Sequence, residues 1–263
     1  GAAALRPGAL DLLSPPAITG ALREVLARVA RVVDPLVPFD PRAWSAEPLG
    51  NRPHALRNEI DAWSARYGLG PVEVYLCGTL PERCLPVYRA PATVLLAADL
   101  GNDAAGRAAV ARAMTLMALS LSLPLRMTQD EFSLCLAALF RQFEPMYKGN
   151  VDPARLDELA RRMTRALPRD LHAETAPFAY EALNRGALDA EAIHAGALEF
   201  GDRVTLLASG DLEGALALLG GGRVAAKAVA EVPVAGRLVR VALSDRFLDA
   251  RQIADAEPPA TPA

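Results

Sequence analysis

The chain has 263 residues, a formal net charge of −3 and a hydrophobic fraction of 52%, whereas aromatic residues make up only 5%. Acidic and basic residues are interspersed, so the sequence lacks the basic stripe that marks a nucleic-acid-binding protein. The uncharged run from Ala113 to Leu125 is shorter than the roughly 20 residues needed to cross a bilayer, and we therefore expect no membrane insertion.

The first part of the chain is predicted to hold two amphipathic helices separated by an irregular segment. Residues 1–16 are rich in Ala, Pro and Gly and are expected to form a linker or an extended arm. Apolar residues at helical spacing predict one helix from Ile18 to Val33 and another from Ala55 to Tyr67, which Gly68 ends. Residues 34–53 are rich in proline, which predicts an irregular excursion over the surface.

The clearest β-strand pattern lies near residues 72–97. Apolar residues alternate along residues 72–76, and two further β-prone runs follow at residues 87–89 and 93–96. We therefore predict a small sheet or hairpin of two or three strands. So small a sheet is marginal alone and must pack against the helices.

Two consecutive buried helices are predicted between Asp103 and Phe143. The first is apolar around almost its whole circumference, which is typical of a central core helix, and Pro124 is expected to end it. The second is expected to begin at Thr128, because Thr128 and Glu131 form the S/T-x-x-E capping box.

The rest of the chain is predicted to be almost entirely helical. Asp152-Pro153 combines an N-cap residue with proline at the first helical position, and further helices are expected at residues 168–185, 188–208, 212–219 and 236–253. The predicted fold class is therefore α+β and predominantly α-helical. One mostly helical domain with a small sheet is expected over residues 17–256, followed by a disordered tail at residues 257–263.

The sequence contains no standard catalytic or metal-binding motif. Its three histidines never occur as H-E-x-x-H, and the G-x-S-x-G, P-loop and dinucleotide-binding patterns are also missing. Three cysteines do not make a disulfide framework, and we expect reduced core thiols in a cytoplasmic protein. A disulfide or a structural zinc at Cys77 and Cys84 is the less favoured alternative. We predict no cofactor and no metal.

One stretch resembles a known enzyme family. Residues 198–207 read LEFGDRVTLL and resemble the E-x-x-x-D region of M48-type zinc metallopeptidases, and a β-hairpin and a central buried helix precede them. The resemblance covers roughly residues 55–220 and implies that the helix at residues 103–123 occupies the position of the H-E-x-x-H helix. That helix has no His and no Glu, the glutamate ligand would fall on Leu198, and only Asp202-Arg203 remains. The resemblance therefore implies a degenerate, non-catalytic relative without a zinc site.

These observations predict a non-enzymatic protein-interaction or scaffold domain of a larger bacterial protein. The chain begins without Met, which suggests a piece of a longer protein. The expected partner is another protein, and the oligomeric state stays open. The expected contact residues are Phe39 and Trp44 in the proline-rich excursion and Tyr88 near the sheet edge, because exposed aromatic side chains anchor partners.

Two alternatives from other functional classes stay open. The first is a hydrolase that uses an unrecognised Cys/His or carboxylate site around Cys84, His172 or Glu199. The second is a small-molecule sensor with a cavity between the Ala-rich helices.

Overall fold

A computed structural model describes residues 5–37, 40–184, 188–221 and 223–256. Within these residues the chain forms thirteen α-helices and one mixed sheet of four strands. The predicted class, a predominantly helical α+β fold with a small sheet, is confirmed.

The N-terminal segment packs into the core instead of forming an arm. Helix α1 spans Pro7–Leu13, with proline in its first turn. Its Ala9 and Leu13 are buried, and the helix packs against the last helix of the chain. The prediction of a linker or an extended arm at residues 1–16 is therefore wrong for the residues of α1. Apolar residues at helical spacing, together with a partner helix far along the chain, outweigh the Ala/Pro/Gly composition.

The proline-rich excursion contains a strand that the sequence analysis missed. Helix α2 spans Gly20–Val33, a short 3-10 turn follows at Asp34–Leu36, and helix α3 spans Arg57–Tyr67. Between them lies β1, Ala46–Pro48, which pairs antiparallel with the next strand. Gly68 ends α3 in a left-handed conformation with φ 66°, as its position after Tyr67 predicts.

The sheet is not a simple hairpin. Strands β2 (Val72–Cys77), β3 (Cys84–Val87) and β4 (Ala92–Ala97) follow in the chain, but the spatial order is β1-β2-β4-β3. Strands β2 and β4 are parallel, whereas β3 and β4 are antiparallel. Strand β4 therefore separates Cys77 from Cys84, and both thiols are free. The less favoured alternative of a disulfide between Cys77 and Cys84 is therefore wrong.

The central helix ends earlier than predicted. Helix α4 spans Ala104–Ala118, and the chain then turns at Ser120, whose φ is 60°. Helix α5, Ser122–Arg126, begins only after this turn and holds Pro124 in its first turn, where the missing N–H costs nothing. The expectation that Pro124 ends the central helix is therefore wrong.

Several helices in the second half of the fold begin near their predicted starts, whereas the helix at Ala225–Glu231 was not predicted and the helix at Pro233–Ala242 begins earlier than residue 236. Helix α6, Gln129–Phe140, begins with the complete Thr128–Glu131 capping box, and Asp152 caps α7 through the N–H of Arg155. The remaining helices are α7 (Pro153–Ala166), α8 (Arg169–Asn184), α9 (Ala190–Ser209), α10 (Leu212–Leu219), α11 (Ala225–Glu231), α12 (Pro233–Ala242) and α13 (Asp245–Asp255). The tail expected at residues 257–263 lies outside the described residues.

Helix α4 lies between the two main hydrophobic clusters. On one side its Leu116 packs with residues of α1, α2, α6 and α9. On the other side Val110 and Met114 pack with the sheet and with α3. All three side chains are fully buried, which confirms that α4 is the central helix of the core. Its neighbours α3, α9 and α10 bring the polar side chains described next onto its remaining face.

Candidate functional site

A buried ion pair joins the central helix to α9. The Nε atom of Arg112 lies 2.6 Å from Oδ1 of Asp202, and Nη2 lies 3.5 Å from Oδ2. The side chains are only 11% and 5% exposed. The residue before the aspartate, Gly201, makes this approach possible, since a Cβ there would collide with Leu116 of α4.

The surroundings of Asp202 are mostly unfavourable to its negative charge. Burial raises the pKa of the Asp202 carboxyl, Arg112 opposes that rise, and Glu82 and Glu199 add to it. Arg112 is thus the favourable charge that holds Asp202 as a carboxylate. Arginine stays protonated in proteins, so the Asp202 carboxylate is the only member of the pair that could accept a proton.

The two residues left from the metallopeptidase pattern have structural partners. Asp202 pairs with Arg112, and Nη1 of Arg203 donates to the carbonyl of Leu13, 2.9 Å away. Arg203 also pairs with Glu199 at 2.5 Å. Both residues tie α9 to other elements, α4 and α1. Among the described residues, no group of three His, Cys, Asp or Glu side chains could hold a metal ion.

A cavity of about 390 Å³ opens beside the ion pair. Helices α3, α4, α9 and α10 form its walls, and Leu238 of α12 contributes to its lining. Its main apolar surface comes from one indole ring and small or aliphatic side chains: Trp63, Ala108, Ala111, Ala215, Leu218 and Leu219. Its charged lining consists of three arginines and three carboxylates: Arg66, Arg107, Arg112, Glu59, Asp202 and Asp211.

The carboxylates that line the cavity each accept a hydrogen bond from the protein. Asp202 accepts from Arg112, while Glu59 accepts from the indole N–H of Trp63 at 2.8 Å. Asp211 is the N-cap of α10 and accepts from the N–H of Gly214, also at 2.8 Å. These acceptors are therefore already engaged in local structure.

Two of the three arginines are available at the cavity mouth. The Arg66 guanidinium lies over the Trp63 ring, 4.7 Å from its centroid, and Arg107 donates only to the backbone carbonyl of Asn102 at 3.0 Å. Both side chains are exposed, and within the described ranges neither forms an ion pair with Asp or Glu. The cavity mouth thus offers free cationic donors above an apolar surface.

The three predicted partner-contact residues do not form one exposed aromatic surface. Phe39 lies outside the described residues. Trp44 is half-buried and packs against the cluster that contains α1, α2 and α6. Tyr88 is half-buried against the other cluster, and its hydroxyl accepts from Nε of Arg31 at 3.2 Å. Their role in binding stays a prediction.

The three residues named for the hydrolase alternative, Cys84, His172 and Glu199, each contact different parts of the protein. Burial raises the pKa of the Cys84 thiol, which disfavours the reactive thiolate. The ring of His172 stacks on Phe143, and its Nε2 lies 2.9 Å from the carbonyl of Gln142. Glu199 pairs with Arg203. Each group therefore has a structural role, and no Cys/His pair is formed by them.

No sequence pattern identified Trp63, Arg66, Arg107 and Arg112 as residues of one cavity. One signal could have revealed Arg112: it is a charged residue directly before the uncharged, buried stretch of the central helix, and such a charge needs a buried partner. Its partner is 90 residues away, however, and no local pattern identifies it.

Among the described helices, none combines the length and the apolar character needed to cross a membrane. Comparison with protein-family models gave no match, and neither the curated proteins nor the solved structures contain a match to this chain.

Proposed function

We propose that this chain is a non-enzymatic protein-interaction domain of a larger bacterial protein, with a metallopeptidase-like arrangement that has lost its zinc site. The observation that carries the proposal is the Arg112–Asp202 pair. It stands between α4 and α9, the two helices that the resemblance assigns to the zinc ligands. Arg112 stays protonated and is itself no zinc ligand, and it engages the carboxylate of Asp202, which supports the proposal that this position no longer holds zinc.

Exposed apolar side chains are available to contact a protein partner. Several large apolar side chains are exposed near the C-terminal end of the described chain: Val224 (67%), Val229 (36%), Leu243 (78%) and Leu248 (51%). Helices α11 and α12, which neighbour these residues, pack through a small satellite cluster centred on Leu216, Ala228 and Ala235. Exposed apolar surface of this kind marks interaction sites. We therefore place the contact with the partner on this C-terminal surface.

The non-enzymatic part is tested by metal analysis and a proteolysis assay. The purified protein is dialysed gently, analysed for zinc, and then incubated with unfolded casein with and without added Zn²⁺. We expect no stoichiometric zinc and no cleavage. About one zinc per chain together with cleavage that a chelator abolishes would overturn the proposal.

The interaction part is tested by affinity purification with matched variants. Leu243→Asp/Leu248→Asp places charges on the C-terminal surface, whereas Met146→Asp makes the same kind of change at another exposed apolar residue, 74% exposed. We expect a partner that is recovered with the wild type and with Met146→Asp but lost with the double variant. Recovery that is equal for all three proteins refutes this surface, and a failure to recover any specific partner refutes the interaction role.

A further inference from the structure

We infer that the cavity beside the Arg112–Asp202 pair binds a small amphipathic carboxylate. Its headgroup is held by Arg66 and Arg107 at the mouth, and its apolar body lies against Trp63 and the alanine and leucine side chains of α4 and α10. This inference goes beyond the proposed protein interaction, because it assigns a ligand site on a different part of the domain.

The size and lining of the cavity fit a small organic molecule. Its volume of about 390 Å³ falls in the range of roughly 300–1,000 Å³ that is common for ligand sites. Small side chains leave this space open, because Ala108, Ala111 and Ala215 extend only a methyl group into it. The Trp63 ring is held in place by its hydrogen bond to Glu59 and by stacking on Tyr67, with centroids 5.5 Å apart. The apolar surface is therefore preorganised.

The free donors select the charge of the ligand. The cavity carboxylates Glu59, Asp202 and Asp211 already accept hydrogen bonds from the protein, as described above. Arg66 and Arg107, in contrast, have guanidinium donors that no carboxylate satisfies within the part of the chain that is described. A guanidinium group can donate two parallel hydrogen bonds to an incoming carboxylate, in the planar geometry that it favours. A cationic ligand would be repelled by these two guanidinium groups and would have to compete with the N–H groups that already donate to Glu59 and Asp211.

The ion pair beside the cavity makes the site selective for amphipathic molecules over simple anions. Asp202 neutralises Arg112, so the deeper part of the cavity carries no net charge from this pair. A small hydrophilic anion would therefore be attracted only by the two exposed arginines, and water screens that attraction. A molecule with an apolar body also gains the burial of that body against Trp63 and Leu218.

The test uses octanoate as the probe and Trp63 as the reporter. The chain has two tryptophans, so Trp44→Phe leaves Trp63 as the single tryptophan, which is excited selectively and lies in the cavity wall. Octanoate is titrated into this protein and compared with octanamide, which has the same chain but no charge. Isothermal titration calorimetry measures the same affinities without depending on the emission of Trp63.

The variants compare loss of the headgroup contacts with an equal loss of charge elsewhere. Arg66→Gln/Arg107→Gln removes both donors, whereas Arg161→Gln/Arg251→Gln removes two surface arginines that are each 66% exposed and lie outside the cavity. All four residues lie at the surface, so both variants are expected to fold.

We expect octanoate to bind saturably to the parent protein. Octanamide should bind the parent protein at least about tenfold more weakly, and octanoate should bind Arg66→Gln/Arg107→Gln more weakly by the same factor, because charge-assisted hydrogen bonds are lost in both cases. Arg161→Gln/Arg251→Gln should bind like the parent protein. The inference is overturned if octanoate does not bind, if octanamide binds equally well, or if both double variants weaken binding to the same extent. These outcomes do not depend on the protein partner, so they can be told apart from a failure of the proposed interaction role.

Discussion

Removing Arg112 should destabilise the domain far more than removing a surface arginine. In Arg112→Met, Asp202 keeps its 5% exposure but loses the guanidinium 2.6 Å away. The neighbouring Glu82 and Glu199 oppose its negative charge. Breaking a buried ion pair by removing one partner costs about 3–5 kcal/mol, and we expect a loss of unfolding free energy in this range at neutral pH.

The loss should depend on pH in a defined direction. Burial already raises the pKa of Asp202 in the folded protein, and without Arg112 the main opposing influence is gone. The folded variant therefore binds a proton more tightly than the unfolded chain, whose aspartate has a pKa of about 3.9. Stability is then lost as the pH rises from that value through the folded-state pKa, and it is regained as the pH falls. Arg112→Met should be closer to the wild type at pH 5 than at pH 8.

A double-mutant cycle isolates the pair. Replacing both charges in Arg112→Met/Asp202→Leu leaves no unpaired charge, and such apolar replacements are often close to neutral. Urea unfolding followed by tryptophan fluorescence gives the four free energies. We expect the double variant to recover most of the loss in Arg112→Met. A coupling energy below about 0.5 kcal/mol, as for independent sites, would refute the buried pair as the link between α4 and α9.

Three further predictions use the same unfolding assay or a chemical probe. Gly201→Ala should cost about 1–3 kcal/mol because its Cβ meets the α4 helix, whereas Gly101→Ala, which faces open space, should change stability by less than about 0.5 kcal/mol. Thr128→Ala removes the capping box of α6 and should cost about 1 kcal/mol. Burial raises the pKa of Cys77 to about 11 and that of Cys135 to about 12. Iodoacetamide at pH 8 should therefore alkylate these two thiols only after the protein unfolds. Rapid labelling of the folded protein would contradict their burial.

Local signals predicted the helix boundaries that depend on a few neighbouring residues. The start of α6 is determined by the Thr128–Glu131 capping box. The start of α7 is determined by Asp152, which accepts from a first-turn N–H, and by Pro153 at the first helical position. Both signals lie within four neighbouring residues. Gly210 ends α9 in the left-handed region with φ 69°, which glycine adopts at little cost.

Features that depend on distant partners were predicted poorly. Strand β1 is only three residues long and exists because it pairs with β2, and α1 is ordered because it packs on α13. The strand order β1-β2-β4-β3 likewise depends on a parallel pairing between β2 and β4 that alternation within one strand does not encode. Composition suggested a loop where β1 forms and an arm where α1 forms, because composition carries no information about the strand or helix that each of them packs against.

The sequence by itself determined a predominantly helical α+β domain around one apolar central helix, because hydrophobic periodicity and capping are local properties. The tertiary structure decided which distant residues form the candidate site. It brought Arg112 against Asp202, 90 residues away, and placed Arg66 and Arg107 beside a cavity with both apolar and charged lining. The physical reason is that the energy of a buried charge or a free donor depends on which helix packs beside it, and only the folded chain fixes that neighbour.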